Sequence, residues 1–509
     1  MHTLHHRGPL EIAQAGGGGD FGGFDSGSSS SGGSSGSDSF SGDGSSIGYD
    51  TGTTADGTLG EALAFGAGLL GFIVLIVVVL GVLIHFTNGP NAQGPPAAPP
   101  DPRPRPQDDA ARQRALAGIA GGDAAFDEES FLGRAAAAFV TTQDAWSEQD
   151  LRPCRAFISD GVHERFGLLI AMQQAEGLRN RMRDVRVVDR SIVAAGRDPQ
   201  FDTIHVRITA SAISYKESLT TGKRVGGNSD TIPITFAEVW SFVRRPGVQT
   251  RADVSVLEGS CPNCGAALHI VDRAECGSCG HHVNAGTHDW VLAEITQTSE
   301  WGKRASESLP GMRVLQEADP GLSVQHIEDR ASVVFWRAMT AVYTRESAVL
   351  APLMPPGATL PPRWDPSPGE YWHTPAVGAV EVVAVTPAVT PAAASEAGGA
   401  TDTVEVLIRW SAHRATGKKA SPVLHDQKTI YSHVLVLQRD TGVTSDITQA
   451  FASAGCRTCG APLDAGSTAA CRFCATPVND GSTSWVLVAV RTHRPTPTRP
   501  TDAGHTGSV

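Results

Sequence analysis

Eight cysteines of the sequence form two groups with the spacing of metal ligands. Each group contains two CxxC pairs separated by eleven residues, and the second group lies 195 residues after the first. The groups are Cys261, Cys264, Cys276 and Cys279, and then Cys456, Cys459, Cys471 and Cys474. Four thiolates from two such pairs can surround Zn²⁺ tetrahedrally, in a closed site that serves structure rather than catalysis. The sequence therefore predicts two structural zinc ions, held in zinc ribbons over residues 259–284 and 454–479.

Disulfide or redox chemistry is the alternative interpretation of these cysteines. A single CxxC pair can be a redox pair, whereas two sets of two pairs at equal spacing favour metal. Of the nine cysteines only Cys154 lies outside the groups, and its position in a helical stretch is typical of a small core residue. We expect His281 and His282 to face solvent, because four cysteines already complete a zinc shell. Thiolate ligands persist best in a reducing compartment, which favours the cytoplasm.

The spacing of 195 residues continues past the cysteines and indicates an internal duplication. The matching pairs are Val283/Val478, Asn284/Asn479, Gly286/Gly481 and Trp290/Trp485. A shared register of this length indicates that a unit of domain size is repeated. Each ribbon lies between two strand-like segments. We therefore expect each one to be the tip of a β-hairpin that extends out of a sheet and is stabilised by metal.

The elements that must position the ribbons follow an α+β order. Leu132, Phe139 and Trp146 recur at helical spacing, and a second helical region follows at residues 150–174. The hydrophobic period then changes to two, over 204–210 and 234–242. Helices followed by antiparallel strands are typical of an α+β domain. The second repeat has the same order, but prolines in its middle predict that its second helix is short or absent.

A membrane span is predicted before the repeats. Residues 62–84 contain neither a charge nor a proline, and a helix of this length crosses a hydrocarbon core of about 30 Å. Before this segment the nearest basic residue is Arg7, whereas Arg103, Arg105, Arg112 and Arg114 follow it. By the positive-inside rule, we expect a single-pass protein of the cell membrane with its N-terminus outside and its folded domains in the cytoplasm.

Composition divides the chain into six predicted segments around the ribbons. These are a disordered Gly/Ser-rich segment (1–60), a transmembrane helix (61–87), a Pro-rich linker (88–125), a first domain (126–300), a second, diverged domain (320–490) and a disordered tail (491–509). The net charge of −12 argues against general binding of nucleic acid, which depends on neutralising phosphates.

Several segments of the first repeat resemble a known family. They read FDEESFLGRAAAAFVTTQDAWSEQDLRPCRAFIS, RNRMRDVRVVDRSIV, FAEVWSFVRR and DWVLAEI. They are similar to the Tim44-like domain, which takes its name from a peripheral anchor subunit of the mitochondrial import motor and is also found in bacterial membrane-tethered proteins. The resemblance covers residues 126–301 and, more weakly, the second repeat. It implies a cone-like α+β domain related to nuclear transport factor two, in which a curved antiparallel sheet wraps against helices and leaves a pocket.

The resemblance implies a fold more than an activity, because the matching residues are core positions. We expect a membrane-anchored, non-enzymatic binding or scaffold protein, associated with protein transport or membrane lipid and holding a lipid, a peptide or a partner protein. The candidate pocket residues are Phe139, Trp146, Phe236, Glu238 and Trp240. The alternatives are a fully packed core at these positions, and an enzyme or small-molecule carrier that uses the same pocket. Glu238 is then the best acid/base candidate, although no partner residue matches it.

Overall fold

The structure is a computed structural model of the chain. It describes residues 109–251, 257, 259–270, 274–301, 309–360, 364–388, 400–425 and 428–493, and a short pair of strands, β1 (Ala13–Gln14) and β2 (Gly17–Gly18). Among these residues no helix combines the length and the apolar character needed to cross a bilayer. The predicted span at 62–84 and most of the N-terminal segment and of the C-terminal tail lie outside the described residues.

The first repeat consists of three helices followed by an antiparallel sheet. The elements are α1 (Asp109–Gly122), α2 (Glu128–Glu148), α3 (Asp160–Ala175), β3 (Leu178–Arg197), β4 (Asp202–Ser218), β5 (Arg224–Gly227), β6 (Ile234–Arg244) and β7 (Val291–Gln297). The strand order is β3-β4-β6-β7, and β5 pairs with β4. Asp127 and Ser159 cap α2 and α3, because each side chain accepts a hydrogen bond from a backbone N–H three residues on.

The second repeat has the same sheet with fewer helices. Its elements are α4 (Pro310–Ala318), α5 (Val324–Thr344), β8 (Tyr371–Thr386), β9 (Thr401–Lys418), β10 (Ser421–Leu424), β11 (Thr429–Asp440) and β12 (Val486–Thr492). Strand β9 pairs with β8, β10 and β11, and β11 pairs with β12. Two single 3₁₀ turns, Ser347–Val349 and Ala351–Leu353, follow α5. In the order of elements, these turns stand where the first repeat has α3, its second predicted helix. The prediction that this helix is short or absent in the second repeat is therefore confirmed.

The predicted linker extends too far towards the first repeat. Helix α1 occupies Asp109–Gly122, inside the stretch assigned to a Pro-rich linker at 88–125. The prolines end at Pro106, and the residues that follow are mostly good helix formers. Leu116 and Ile119, three residues apart on this helix, are buried in the core of the first repeat. The folded unit therefore begins before residue 126.

Helix α3 belongs to the cores of both repeats. Phe166 and Leu169 are buried in the first core, whereas Leu168 and Met172 are buried in the second. The sequence of α3 is apolar on nearly all sides at this point, which suits a helix covered on two faces. In the second core α3 packs against α5. The first repeat thus supplies α3 to the core of a repeat whose described residues contain no counterpart of this helix.

Polar contacts join the repeats at the start of α3. The N–H of Gly161 donates to Asp329 Oδ1 on α5 at 2.8 Å. Asp160 pairs with Arg155 at 2.6 Å, and its second oxygen accepts the N–H of Ala454 at 2.8 Å. All of these side chains are buried. Because buried charged groups that lose their partners are costly, these bonds fix the position of α3 against the second repeat.

Candidate metal centres and the cavity between the repeats

Both predicted cysteine groups form compact sets of four sulfurs. In each group the four Sγ atoms lie within 4.8 Å of one another, and neither group includes a histidine. The Sγ distances are 3.8 Å for Cys261–Cys279, 3.8 Å for Cys264–Cys276, 3.6 Å for Cys456–Cys474 and 3.7 Å for Cys459–Cys471. Sulfurs placed tetrahedrally about 2.3 Å from a metal ion lie about 3.8 Å apart. Each group could therefore hold one metal ion.

Tight backbone turns build each group. After each CxxC pair, the N–H of the next residue donates to the carbonyl of the pair's first cysteine at 2.8 Å. These residues have positive φ, and three of them are glycines: Gly265 (74°), Gly280 (70°) and Gly460 (69°). The fourth residue is Ala475 at φ 58°, where a Cβ makes the left-handed conformation unfavourable.

Each ribbon lies in the connection of a hairpin, as predicted, but the first ribbon does not extend away from its sheet. Strands β6 and β7 pair with each other, as do β11 and β12. Cys261, Cys276 and Val283 are buried within the core of the first repeat. The second ribbon has a small core of its own that includes Leu463 and Val478. The apolar residues of the first ribbon are buried by contact with the core of the first repeat, whereas those of the second ribbon are buried against one another.

The two ends of each cysteine group differ in acidity. A hydrogen bond from Asn263 Nδ2, at 3.5 Å, lowers the pKa of Cys279 to about 6. A hydrogen bond with the Thr476 hydroxyl, at 3.3 Å, lowers the pKa of Cys474 to about 6. Burial raises the pKa of Cys261 to about 12. Since metals bind thiolates, Cys279 and Cys474 supply ready ligands, and metal binding at Cys261 must release a proton.

A buried ion pair next to the first hairpin was not predicted from the sequence. Arg244, the last residue of β6, pairs with Asp123 at 2.9 Å, and its guanidinium lies 4.5 Å from the centre of the Trp290 ring. Burial raises the pKa of Asp123, but hydrogen bonds from Thr250 and Arg244 outweigh burial and bring this pKa below its ordinary value. This pair ties the end of α1 to the hairpin that carries the ribbon.

The second repeat contains the same cluster. Arg439 pairs with Asp319 at 2.7 Å, Ser445 donates to the same carboxylate at 2.7 Å, and Arg439 lies 4.5 Å from the Trp485 ring centre. The arginines, the hydroxyl residues and the tryptophans of the two clusters are each separated by 195 residues. This spacing is the sequence signal that could have identified the cluster, and it extends the duplication beyond the ribbons.

The predicted pocket residues pack against one another in the first core. The Phe139 ring centre lies 5.0 Å from that of Trp240 and 6.0 Å from that of Phe236. Glu238 is fully buried and accepts a hydrogen bond from Trp240 Nε1 at 3.0 Å, and burial raises its pKa. Trp146 donates to Asn180 Oδ1 at 3.1 Å. Ligand binding by these residues stays a prediction.

A larger cavity lies between the repeats. Its volume is about 420 Å³, whereas a cavity beside Phe131 and Phe242 in the first core measures about 20 Å³. Helix α3 and strand β7 line it from the first repeat, and α5 and β8 line it from the second. Of these two cavities, the larger one falls in the volume range of small-molecule sites, roughly 300–1,000 Å³.

Arg165 of α3 and Asp329 of α5 are buried ionisable residues at this cavity, and neither was predicted from the sequence. Only 4% of Arg165 is exposed. Its Nη1 donates to the carbonyl of Ile295 at 3.2 Å, whereas Nε and Nη2 have no hydrogen-bond partner. Its guanidinium carbon lies 6.0 Å from the ring centre of Trp336 on α5. Burial lowers the pKa of Arg165 to about 10, so the side chain remains charged at neutral pH.

The comparison with protein families matches the first repeat. The model of the Tim44-like domain matches residues 112–253. The chain therefore contains a Tim44-like domain, as the resemblance indicated. The match begins inside α1 and ends after β6, earlier at both ends than the expected 126–301, so it leaves out both cysteine groups and the second repeat. No curated protein matches the chain.

Proposed function

We propose that this is a membrane-anchored, non-enzymatic binding or scaffold protein with a role linked to protein transport or membrane lipid. Its repeats would be two cone-like domains of the nuclear transport factor two type. The observation that carries the proposal is the shared helix α3, because Leu168 and Met172 of the first repeat are buried in the second. Two repeats joined in this way present both hairpins in a fixed arrangement, as a scaffold requires.

We further propose that each four-cysteine group binds Zn²⁺ and that both ions are structural. The sulfur distances suit tetrahedral zinc, and zinc is commonly held by four cysteines in such ribbons. Four protein ligands leave no open position for a substrate or an activated water molecule. The metal would fix the second ribbon, where the Phe473 ring is 60% exposed next to Arg472, at 4.8 Å. An exposed aromatic ring on a metal-fixed turn is a suitable contact for a protein partner.

Membrane anchoring rests on the sequence before the repeats. Residues 62–84 have the length and apolar character of a span. Arg103, Arg105, Arg112 and Arg114 follow this segment, whereas Arg7 alone precedes it. We therefore propose an external N-terminus and cytoplasmic repeats. This orientation also suits the cysteine groups, because thiolate ligands are retained in a reducing compartment.

The alternative is an enzyme or carrier that uses the pocket of the first repeat. A general acid or base must lie within hydrogen-bond reach of its substrate. The buried position of Glu238 and its bond to Trp240 favour a core role for this carboxyl group. We therefore prefer the binding function.

Photo-crosslinking in native membranes tests the proposal. A photoreactive residue replaces Phe473 on the second ribbon in the full-length protein, and a control carries it at Val314, an exposed residue of α4. We expect a defined protein adduct from the ribbon position that the control does not form. A second arm deletes residues 62–84, after which the protein should leave the membrane fraction. Identical labelling at both positions, or unchanged membrane association, would contradict the proposal.

A further inference from the structure

We propose that a groove beside the second ribbon is a docking site for a short amphipathic α-helix of a protein partner. The groove lies between the C-terminal end of α5, the segment that follows this helix and the second ribbon, and its volume is about 520 Å³. Such a site rests on the proposed scaffold function and specifies the kind of partner that the second repeat would hold.

In the first repeat, the surface that matches this groove is covered by α3. Helices α2 and α5 have 21 residues each, and each is followed by a residue of positive φ, Gln149 (57°) and Arg345 (64°). Trp146 of α2 therefore matches Val342 of α5. The ring centre of Trp146 lies 6.0 Å from that of Phe166 on α3, whereas Val342 lines the groove. The groove thus begins where a helix covers the first repeat.

Two polar positions repeat this match. Gln149 Nε2 donates to Gln173 Oε1 on α3 at 3.1 Å, and its counterpart at the end of α5 lines the groove. Asn284 Nδ2 donates at 3.3 Å to the carbonyl of Ile158, two residues before α3 begins. Asn479, which follows it by 195 residues, also lines the groove. Three positions that meet α3 or its start in the first repeat therefore border the groove in the second.

The shared helix α3 does not fill this groove. It packs on α5 near Asp329 and Ser332, where Gly161 comes closest. No residue of α3, all of which the structure describes, belongs to the lining. Thr468 and Ala469 of the second ribbon are exposed residues of the lining. The groove is therefore accessible from this side of the ribbon.

The lining suits the apolar face of a helix. Its large apolar side chains are Val342, Leu350, Met354 and Leu360. An amphipathic helix docks in such a groove through apolar residues three, four or seven positions apart. Helix α3 shows the pattern, because its residues in the first core are Val162, Phe166, Leu169 and Ile170. The charged pair of the lining, Arg345 and Asp365 at 2.8 Å, has no net charge. The partner helix is therefore expected to dock through aliphatic and aromatic side chains.

Fluorescence anisotropy of a labelled peptide with the α3 sequence, DGVHERFGLLIAMQQA, tests the site. The peptide is titrated with the full-length, metal-loaded protein in detergent, and a control peptide carries Phe166→Asp and Leu169→Asp. We expect saturable binding of the α3 peptide, with the control at least tenfold weaker. The proposal is overturned if the α3 peptide does not bind or if both peptides bind equally well.

Two ribbon variants of the protein locate the binding site. Ala469→Trp places a large side chain in the groove, whereas Ala465→Trp, also exposed on the ribbon, lies outside the lining. Ala469→Trp should weaken binding of the α3 peptide at least tenfold, and Ala465→Trp should leave it unchanged. Metal content and thermal unfolding show whether each variant is folded, and Thr468→Trp replaces Ala469→Trp if that variant does not fold. Unchanged affinity in the folded groove variant would overturn the assignment.

Other occupants of the groove would give different results. If it joins two copies of this chain, light scattering should show a dimer that Ala469→Trp dissociates. If residues 494–509 occupy it, deleting them should raise the affinity for the α3 peptide at least tenfold. Either result would overturn the assignment to a partner helix. Peptide binding requires neither the membrane nor crosslinking at Phe473, so its failure leaves the scaffold proposal to its own test.

Discussion

Replacing Gly161 by alanine tests whether α3 is held against the second repeat as the structure indicates. A Cβ atom at this position would lie 2.8 Å from Asp329 Oδ1 and 2.8 Å from both Cβ and Oγ of Ser332. Contacts this short require α3 and α5 to move apart. Gly167, six residues further along the same helix, provides a matched control because nothing lies within 4 Å of its Cβ position.

The expected change in the free energy of unfolding combines three contributions. Alanine in place of glycine favours a helix by about 1 kcal/mol. Overpacking a filled contact costs about 1–3 kcal/mol. Displacing Asp329 also weakens the bond that it accepts from the Gly161 N–H at 2.8 Å, and a bond to a charged or buried group contributes about 1.5–3 kcal/mol. Gly161→Ala should therefore lower the free energy of unfolding by about 1.5–5 kcal/mol, whereas Gly167→Ala should raise it by up to about 1 kcal/mol.

Urea unfolding of the full-length protein in detergent, followed by tryptophan fluorescence, measures both variants. The second core contains four fully buried tryptophans, Trp336, Trp364, Trp410 and Trp485, so loss of the contact between the repeats should change the signal. Metal content is checked first, to exclude an effect on the ribbons. If Gly161→Ala is as stable as Gly167→Ala, the close packing of α3 on α5 is refuted.

Three further predictions concern the metal sites and the contact between the repeats. Elemental analysis should give about two zinc ions per chain, and a metal-free protein with a disulfide in either group would contradict the assignment. Ala475→Gly should stabilise the second ribbon by about 0.5–1 kcal/mol, because glycine adopts positive φ without strain. Gly280→Ala, at the matching turn, should destabilise the first ribbon for the same reason. Thermal unfolding with a competing chelator measures both variants, and equal effects would contradict this role of positive φ. Burial raises the pKa of Asp329 from its ordinary value of 3.8 to about 7. Folding therefore takes up a proton between these pH values, and stability falls as pH rises from about 4 to about 7. The stability of Asp329→Asn relative to wild type should therefore increase by about 2–3 kcal/mol between about pH 5 and pH 8, and a constant difference in urea unfolding would disprove it.

The arrangement of the cysteine groups was predictable because their signal is local. Each CxxC pair and the turn after it occupy a few residues, so the chain spacing alone brings the sulfurs near one another. The offset of 195 residues identified the duplication, since two copies of one fold keep the same order of elements. The same comparison could have revealed Arg244 and Arg439, which are buried at matching positions. For helices and strands, periodicity indicated which side chains face inward.

Periodicity could not decide what each inward face meets. Phe139 and Trp240 were correctly expected to face the core. That their ring centres lie 5.0 Å apart is known only from the tertiary structure. The linker prediction failed because composition marks where prolines are dense and not where the next helix begins.

The sequence by itself determined the cysteine groups, the duplication and the order of helices and strands, because these depend on neighbours along the chain or on a constant offset. Only the tertiary structure decided that α3 is shared and that a cavity with Arg165 lies between the repeats. Gly161 and Asp329 are separated by 168 residues, and no periodic pattern records a contact of that range. Such contacts depend on how much apolar surface of α3 each core buries. That quantity is a property of the whole fold and not of neighbours along the chain.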